Sequence, residues 1–414
     1  MPGGALSAAP PASLAAAPSP ELADRIRRGT PEFRRTNLAL FSAGFATFAL
    51  LYCVQPLMPV FARDFHVSAA QSSLVLSLTT ALLAPSMIVA GAISESRGRK
   101  PIMVASLLAS ALLTFGSAFV TRWSTLLVLR ALAGITFAGL PAISMAYLAE
   151  EIHPGSIGLA MGLAIGGNGL GGMLGRLLTS WLTELVSWRF AVGAIGLLGL
   201  VAAVIFWRTL PPSRGFTPRP VRRATLARSF LTPLRQPRLL ALFAEGFLLM
   251  GAFGTSYNYI TYHLLAQPYS LSQAGVGTIF SVYLIGIASS AWIGSLADRL
   301  RRDKMLILML LSILIGIGLT LAGPLPLVVL GIAVVTFGFF GGHSVASSWV
   351  GLRASTAKAQ ASALYLFFYY IGLSVAGTMG GVFWQHWSWA GVAAFVAGLA
   401  ITGLGIAVLA VGQA

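Results

Sequence analysis

Gly91-Ala92-Ile93-Ser94-Glu95-Ser96-Arg97-Gly98-Arg99-Lys100 and Gly294-Ser295-Leu296-Ala297-Asp298-Arg299-Leu300-Arg301-Arg302-Asp303 are two copies of one pattern, Gly91 and Gly294 lying 203 residues apart. Each begins with Gly, passes an aliphatic and a small residue, and reaches an acid followed by Arg. Each also ends a long apolar run with a burst of charge. Glycine lets a helix end approach its neighbour closely. An acid among several arginines can make charge-assisted hydrogen bonds there. The recurrence divides the chain into two like halves. Parallel repeats about an axis along the membrane normal are one construction used by transporters.

The composition fits that reading. Of 414 residues, 57% are hydrophobic and 9% charged, against about 25% charged in soluble domains. A transmembrane helix needs about 20 mostly apolar residues, so twelve would use roughly 240. The apolar runs number twelve, near 37–61, 71–93, 101–121, 124–149, 158–182, 189–207, 239–263, 274–296, 305–323, 325–349, 360–383 and 389–411. A soluble globular chain is excluded, and 46 Gly in so apolar a chain exclude a disordered one. The sequence predicts an all-α membrane protein of twelve transmembrane helices in two pseudo-symmetric six-helix bundles. Residues 1–36 read as a disordered cytoplasmic tail without the basic-then-apolar order of a signal peptide. Residues 37–207 and 239–414 form the bundles, and 208–238 the cytoplasmic linker.

The net charge of +16 would suggest nucleic acid in a soluble chain. On twelve spans it divides instead. With the N-terminus in the cytoplasm, 22 of the 27 Lys and Arg fall on the cytoplasmic side, and Arg63, Arg122 and Arg189 on the other. Such a bias sets orientation, so both termini are expected in the cytoplasm. Trp123, Trp188, Trp384, Trp387 and Trp389 fall at the outer interface, where indoles favour headgroup depth. Nucleic acid is not expected as a partner; the lipid bilayer is. The single cysteine, Cys53, leaves the redox compartment open. No phosphate-binding loop or metal-ligand spacing is present, and an enzyme is not expected.

The two charged motifs resemble those of the major facilitator superfamily, whose signature between spans two and three is Gly-x-Leu-Ala-Asp-Arg-x-Gly-Arg-Arg/Lys. Gly91 to Lys100 departs from it in Glu95 for Asp and Ser96 for the first Arg. Gly294 to Arg302 resembles the weaker second copy. The resemblance covers residues 37 to 411. It implies a secondary transporter working by alternating access, with spans 1, 4, 7 and 10 lining a cavity. It also implies a gate in which Gly91, Glu95, Arg97, Gly98, Arg99, Gly294, Asp298 and Arg299 hold the halves together in one state; setting topology alone is the other reading.

A charged group at the bilayer centre costs about 2.5–3.5 kcal/mol on insertion scales. Among eleven acids only Glu245 falls well inside a span, seven residues past Arg238, or about 10 Å along a helix. It reads either as a proton carrier or as a partner of a basic residue at the rim. Arg130, with Gly134 four residues on, matches an intramembrane Arg that the superfamily associates with proton coupling. It faces the bundle interior or snorkels outward. His343, in span ten, is either a satisfied structural group or part of a proton or substrate site beside Glu245. Tyr52, Gln55, Asn168, Tyr257 and Asn258, together with His343, are the candidates for contacts with a small-molecule substrate.

Span five carries two small-residue ladders, Gly158-Gly162-Gly166 and Gly167-Gly171-Gly175. Both permit close helix contact. Gly167 to Arg176 is similar to an antiporter motif, with Gly172 in place of its Pro and Arg176 in place of its last Gly. Arg176 is expected near the outer end, snorkelling or meeting Glu184. The resemblance thus points to proton-coupled efflux of small organic or drug-like compounds, similar to the twelve-span drug:proton antiporters. The alternatives are uptake of an organic solute and, in another class, a receptor or scaffold. No cofactor is expected; the proton gradient supplies the energy. The expected setting is a plasma membrane, that of a bacterial inner membrane, with the chain working as a monomer.

Overall fold

The computed structural model describes residues 25–216, 223–354 and 357–411. Among these the chain is helical, apart from turns and an isolated bridge between Ile26 and Ile152. The first span opens at Pro31, where Thr30 accepts a hydrogen bond from the Phe33 N–H and Pro31 occupies the first turn. Proline fits there because the first helical N–H groups have no partner in any case. Of the expected tail, residues 1–24 lie outside the described residues. Ile26 donates to Glu151 O and accepts from His153 N, so this segment lies against the end of the fourth span.

The first span runs Pro31–Tyr52, breaks, and resumes as Met58–Asp64. The second comprises Ala69–Ser72 and Leu74–Arg97, and the third Arg99–Ser117. Gly98 between them has φ +96°, a conformation open to glycine and strained for other residues. The fourth span is Trp123–Phe137 continued by Gly139–Glu151; the fifth is Ile157–Leu185 and the sixth Trp188–Thr209. A helix at Arg223–Leu234 precedes the second half. There the spans are Pro237–Leu265, Gln273–Ile279 with Tyr283–Arg299, Arg302–Leu319, Leu325–Arg353, and the long Lys358–Ile406.

Among the described residues, ten helices are long and apolar enough to cross a membrane. One of the ten, starting at Lys358, holds two crossings, because Trp387 and Ser388 leave helical geometry and turn the chain. The 18-residue helix Arg302–Leu319, with Arg302, Asp303 and Lys304 crowded into its first turn, is a further apolar helix outside the ten. The count is consistent with twelve. Large apolar side chains such as Leu38, Phe119, Trp207, Trp292 and Ile315 lie exposed on the outside of the bundle. In water such a surface would drive aggregation; in lipid it is the expected covering.

The two glycine ladders of the fifth span differ in use. A side chain at Gly167, Gly171 or Gly175 would strike the backbone at Phe41, Phe45 or Ala49 of the first span. Both sets recur every fourth residue, so one stripe of the fifth helix lies directly on one stripe of the first. Gly158, Gly162 and Gly166 have nothing within 4 Å. The seventh and eleventh spans repeat the close contact, with Gly372 against Phe247.

Among the described residues, six hydrogen bonds joining the halves lie between mid-membrane and the end opposite the motifs. Gln55 Nε2 donates to Asn258 Oδ1 at 2.7 Å. The Tyr262 hydroxyl donates to Met58 O at 2.9 Å and pairs with Ser72 Oγ at 2.7 Å. Gln273 donates to Pro56 O, Ala274 N to Glu184, and Trp181 Nε1 to Thr278 Oγ1. At the motif end Gly91 stands in open space, and Glu95 and Arg97 are exposed. The polar ties between the halves found among the described residues thus gather at one end, while Glu95, Arg97 and Arg299 are exposed at the other. Of the five tryptophans expected at the interface, Trp387 is exposed, whereas Trp188 and Trp389 are buried, donating to Asp64 and Thr320.

The ladder geometry makes a direct prediction. Gly171→Leu should destabilise the protein by about 1–3 kcal/mol, the usual cost of overpacking, whereas Gly162→Leu should leave the melting temperature near that of the parent. Thermal unfolding of both variants in detergent checks it; equal melting points would show that the ladder is not a packing surface.

Candidate functional site

The site begins with a broken helix. Pro56 lacks an N–H and its ring opposes a continued α-helix, so the first span breaks after Tyr52 and passes through a single 3₁₀ turn, Gln55–Leu57. The break frees carbonyls deep in an apolar environment, where each needs a partner. Arg130 supplies it. Its side chain is wholly buried; Nε donates to Val75 O at 3.1 Å, and the terminal nitrogens to Leu50 O at 3.3 Å and Leu51 O at 2.9 Å. Arg130 thus faces the interior, as one reading of the sequence had it, and ties spans one, two and four together. Its nitrogens are taken up by backbone.

The break also turns Gln55 toward the axis of the molecule. Gln55 Oε1 accepts from Arg176 Nε at 2.5 Å, while its amide donates across to Asn258. Arg176 is 1% exposed, so it neither snorkels nor meets Glu184, whose Oε2 instead accepts from Ala274 N at 2.6 Å. A terminal nitrogen of Arg176 donates to Gly172 O at 2.6 Å, the contact that glycine at this position leaves room for. Aromatic rings complete the surround: Tyr52 at 4.1 Å, Tyr283 at 4.8 Å and Phe280 at 5.8 Å from the guanidinium carbon. Tyr257 joins this group through Tyr283, 5.3 Å away, and shares a 2.6 Å hydrogen bond with Thr336. Tyr52, Gln55, Tyr257 and Asn258 therefore come together, around an arginine that the sequence reading left out of the cavity. Its signal was present in Gly172, four residues earlier on the same helix face. Asn168 lies apart from this group, over Gly44 of the first span.

Glu245 sits elsewhere. It is fully buried in the second half, with one carboxylate oxygen toward Gly403, and neither oxygen has a hydrogen-bond partner among the described residues. No hydrogen bond joins it to Arg238. His343 pairs with the Tyr365 hydroxyl at 2.9 Å and packs against Tyr369 at 4.8 Å. Tyr365 also lies over Gly246, so its ring is next to the Glu245 turn. Glu245 and His343 thus flank one tyrosine, while Arg130 belongs to the other half.

At the motif end, the acid beside Arg99 is Glu150 and not Glu95. Arg99 contacts Glu150 at 2.7 Å, donates to Ser94 Oγ at 2.6 Å, and lies over the Phe216 ring. These bonds stay inside the first half and its linker. Arg299 is exposed, and Gly294 lies against Ser344 of the tenth span. The Asp298 side chain lies outside the described residues.

Two like helical halves with membrane-crossing helices, tied at one end and with buried polar groups between them, point to a multi-pass membrane transporter. The chain belongs to the Major Facilitator Superfamily, whose profile matches residues 40–265. It is 53% identical over 371 residues to the uncharacterized MFS-type transporter YybF of Bacillus subtilis, covering 90% of this chain and 92% of that one. It is 48% identical over 372 residues to the inner membrane transport protein YnfM of Escherichia coli, covering 90% and 89%. Its fold matches a crystal structure of the nucleoside transporter NupG with a TM-score of 0.78 at 14% identity, over 90% of this chain and 99% of that one.

The role of Arg130 can be checked by stability. Arg130→Met should cost about 3 kcal/mol or more, because it strands carbonyls of Leu50 and Leu51 in an apolar core. Arg130→Lys should recover little, since one ammonium cannot span three carbonyls. Melting curves of both variants test this, and a lysine variant as stable as the parent would contradict it.

Proposed function

We propose that the protein is a proton-coupled exporter of small organic compounds, working by alternating access in a bacterial inner membrane with both termini in the cytoplasm. The observation that carries the coupling is Glu245, a fully buried carboxyl group with both oxygens lacking a partner among the described residues. Holding an unpaired carboxylate in the core is costly, so a proton is its natural companion. Loss or gain of that proton changes the charge inside the second half, beside Tyr365 and His343. Such a change is what a coupling site needs.

The asymmetry of the contacts supports alternation. The six hydrogen bonds between the halves described above lie at one end, while at the other Gly91, Gly158, Gly162 and Gly166 have open space and Glu95, Arg97 and Arg299 are exposed. Closing the motif end would bring those small-residue and charged surfaces into use and break those bonds. The placement of 22 basic residues at the motif end supports a cytoplasmic assignment for it. Export follows from the likeness of Gly167 to Arg176 to the antiporter motif.

The test uses everted membrane vesicles and a compound to which a deletion strain is hypersensitive. Energised vesicles should accumulate the compound and release protons when it is added. Glu245→Gln should abolish the proton movement while leaving compound binding largely intact. Undiminished proton release in that variant would remove Glu245 from coupling, and depletion of the compound from energised vesicles would reverse the direction to uptake.

A further inference from the structure

The charge on Arg176 has no counterpart. Arginine stays protonated in proteins, and burying such a cation is costly unless an anion answers it. Every group recorded around Arg176 is neutral: the Gln55 amide oxygen, the Gly172 carbonyl, and the rings of Tyr52, Phe280 and Tyr283. None of the ion pairs among the described residues includes it. Arg130 offers the contrast. It too is buried without a carboxylate, but its three nitrogens each go to a backbone carbonyl freed or exposed by helix geometry, which is a structural role. Arg176 instead stands between the halves, touching the first span through Tyr52 and Gln55 and the eighth through Phe280 and Tyr283.

The surroundings suit an aromatic body as well as a charge. Phe41, Phe45 and Phe48 precede Tyr52 at helical spacing along one side of the first span, and all three are half-buried. In the second half Tyr369, half-buried, packs against His343. Rings of Tyr52, Phe280 and Tyr283 stand over the guanidinium carbon, while Nε is held by Gln55 and one terminal nitrogen by Gly172, so a ligand approaches the Nε edge by displacing Gln55. That edge matches the two oxygens of a carboxylate.

We infer that Arg176, framed by Tyr52 and Tyr283 and held by Gln55, is the subsite for the carboxylate of a small aromatic acid, so that the transported compounds are organic anions. This inference rests on the transporter reading above and narrows it to a substrate class. It also gives the buried cation its missing partner: the anion arrives with the substrate and leaves with it.

The experiment measures binding to the purified full-length protein in detergent by ligand-induced thermal stabilisation. Benzoate and 2-naphthoate are each compared with their carboxamides, with sodium chloride as the ionic control. The acids should bind at least about tenfold more tightly than the amides, in keeping with a charge-assisted bond in a buried site. Arg176→Gln should remove that preference, and Arg176→Lys should retain part of it. Equal binding of acid and amide across both pairs, or a preference undiminished in Arg176→Gln, overturns the inference. If Arg176→Gln does not fold, the acid-to-amide ratio of the parent protein decides alone. Vesicles that move a neutral or cationic compound equally well with Arg176→Gln would leave the transporter reading standing and sink the anion subsite. Vesicles that move nothing count against transport, while acid binding in detergent is scored independently.

Discussion

Lipid offers no hydrogen bonds, so a helix that breaks inside a bilayer must find partners for its freed carbonyls within the protein. The first span breaks at Pro56, and the rest of the central arrangement depends on how that break is repaired. Arg130 reaches from the fourth span to the carbonyls of Leu50 and Leu51 and takes Val75 on the way. The repair fixes three helices at once. It also holds the 3₁₀ turn that presents Gln55 to the axis. Without it, neither the bond to Arg176 nor the bond to Asn258 has a defined origin. A cation often associated with proton movement is here occupied with backbone.

The internal repeat and the chemistry follow different rules. Gln55 and Asn258 are 203 residues apart, the same offset as Gly91 and Gly294, and they hydrogen-bond to each other. Two equivalent positions meet because both lie close to the pseudo-symmetry axis. The charged groups do not repeat. At the same offset Arg130 corresponds to Ala333, Arg176 to Met379 and Glu245 to Ser42. The first half carries the cations and the second the carboxyl group. Duplicated packing, visible in the paired contacts of spans one with five and seven with eleven, supports a site that is singular.

Much of this was legible in the sequence. The repeated motif, the apolar runs and the charge bias carry the architecture because bilayer thickness and helix rise leave few other solutions. The faces of the helices were harder to read. A helix apolar on all sides has no periodic stripe to show which way a residue points. Both glycine ladders satisfy the same spacing, yet only Gly167-Gly171-Gly175 meets another backbone. The sequence singles out Glu245 and His343 by their place inside spans and Arg130 by resemblance, and neither ground shows which side chains meet across a bundle. Arg176 was placed at the outer end for the same reason. The break at Pro56 has a local cause in the missing N–H, but the placement of Tyr52 and Gln55 over Arg176 depends on long-range packing that spacing does not encode.

Gln55 holds two roles that bear on each other. It accepts from Arg176, and it donates to Asn258 in the set of bonds that gathers at one end. Asn258 has no further partner for its amide among the described residues, so its link to Gln55 is the main polar tie at that depth. A ligand that draws on the guanidinium competes with Gln55 for the same donor. Weakening that bond frees Gln55 to reorient, and the tie across the halves is altered with it. Glu245 lies outside this chain of contacts, against Gly403 and the back of the second half. On the proposed reading, the contacts that adjoin Glu245 are those of the second half: Gly246 against Tyr365, and Tyr365 against His343. Tyr365, set between the Glu245 turn and His343, is the side chain through which a change of charge at Glu245 is felt first.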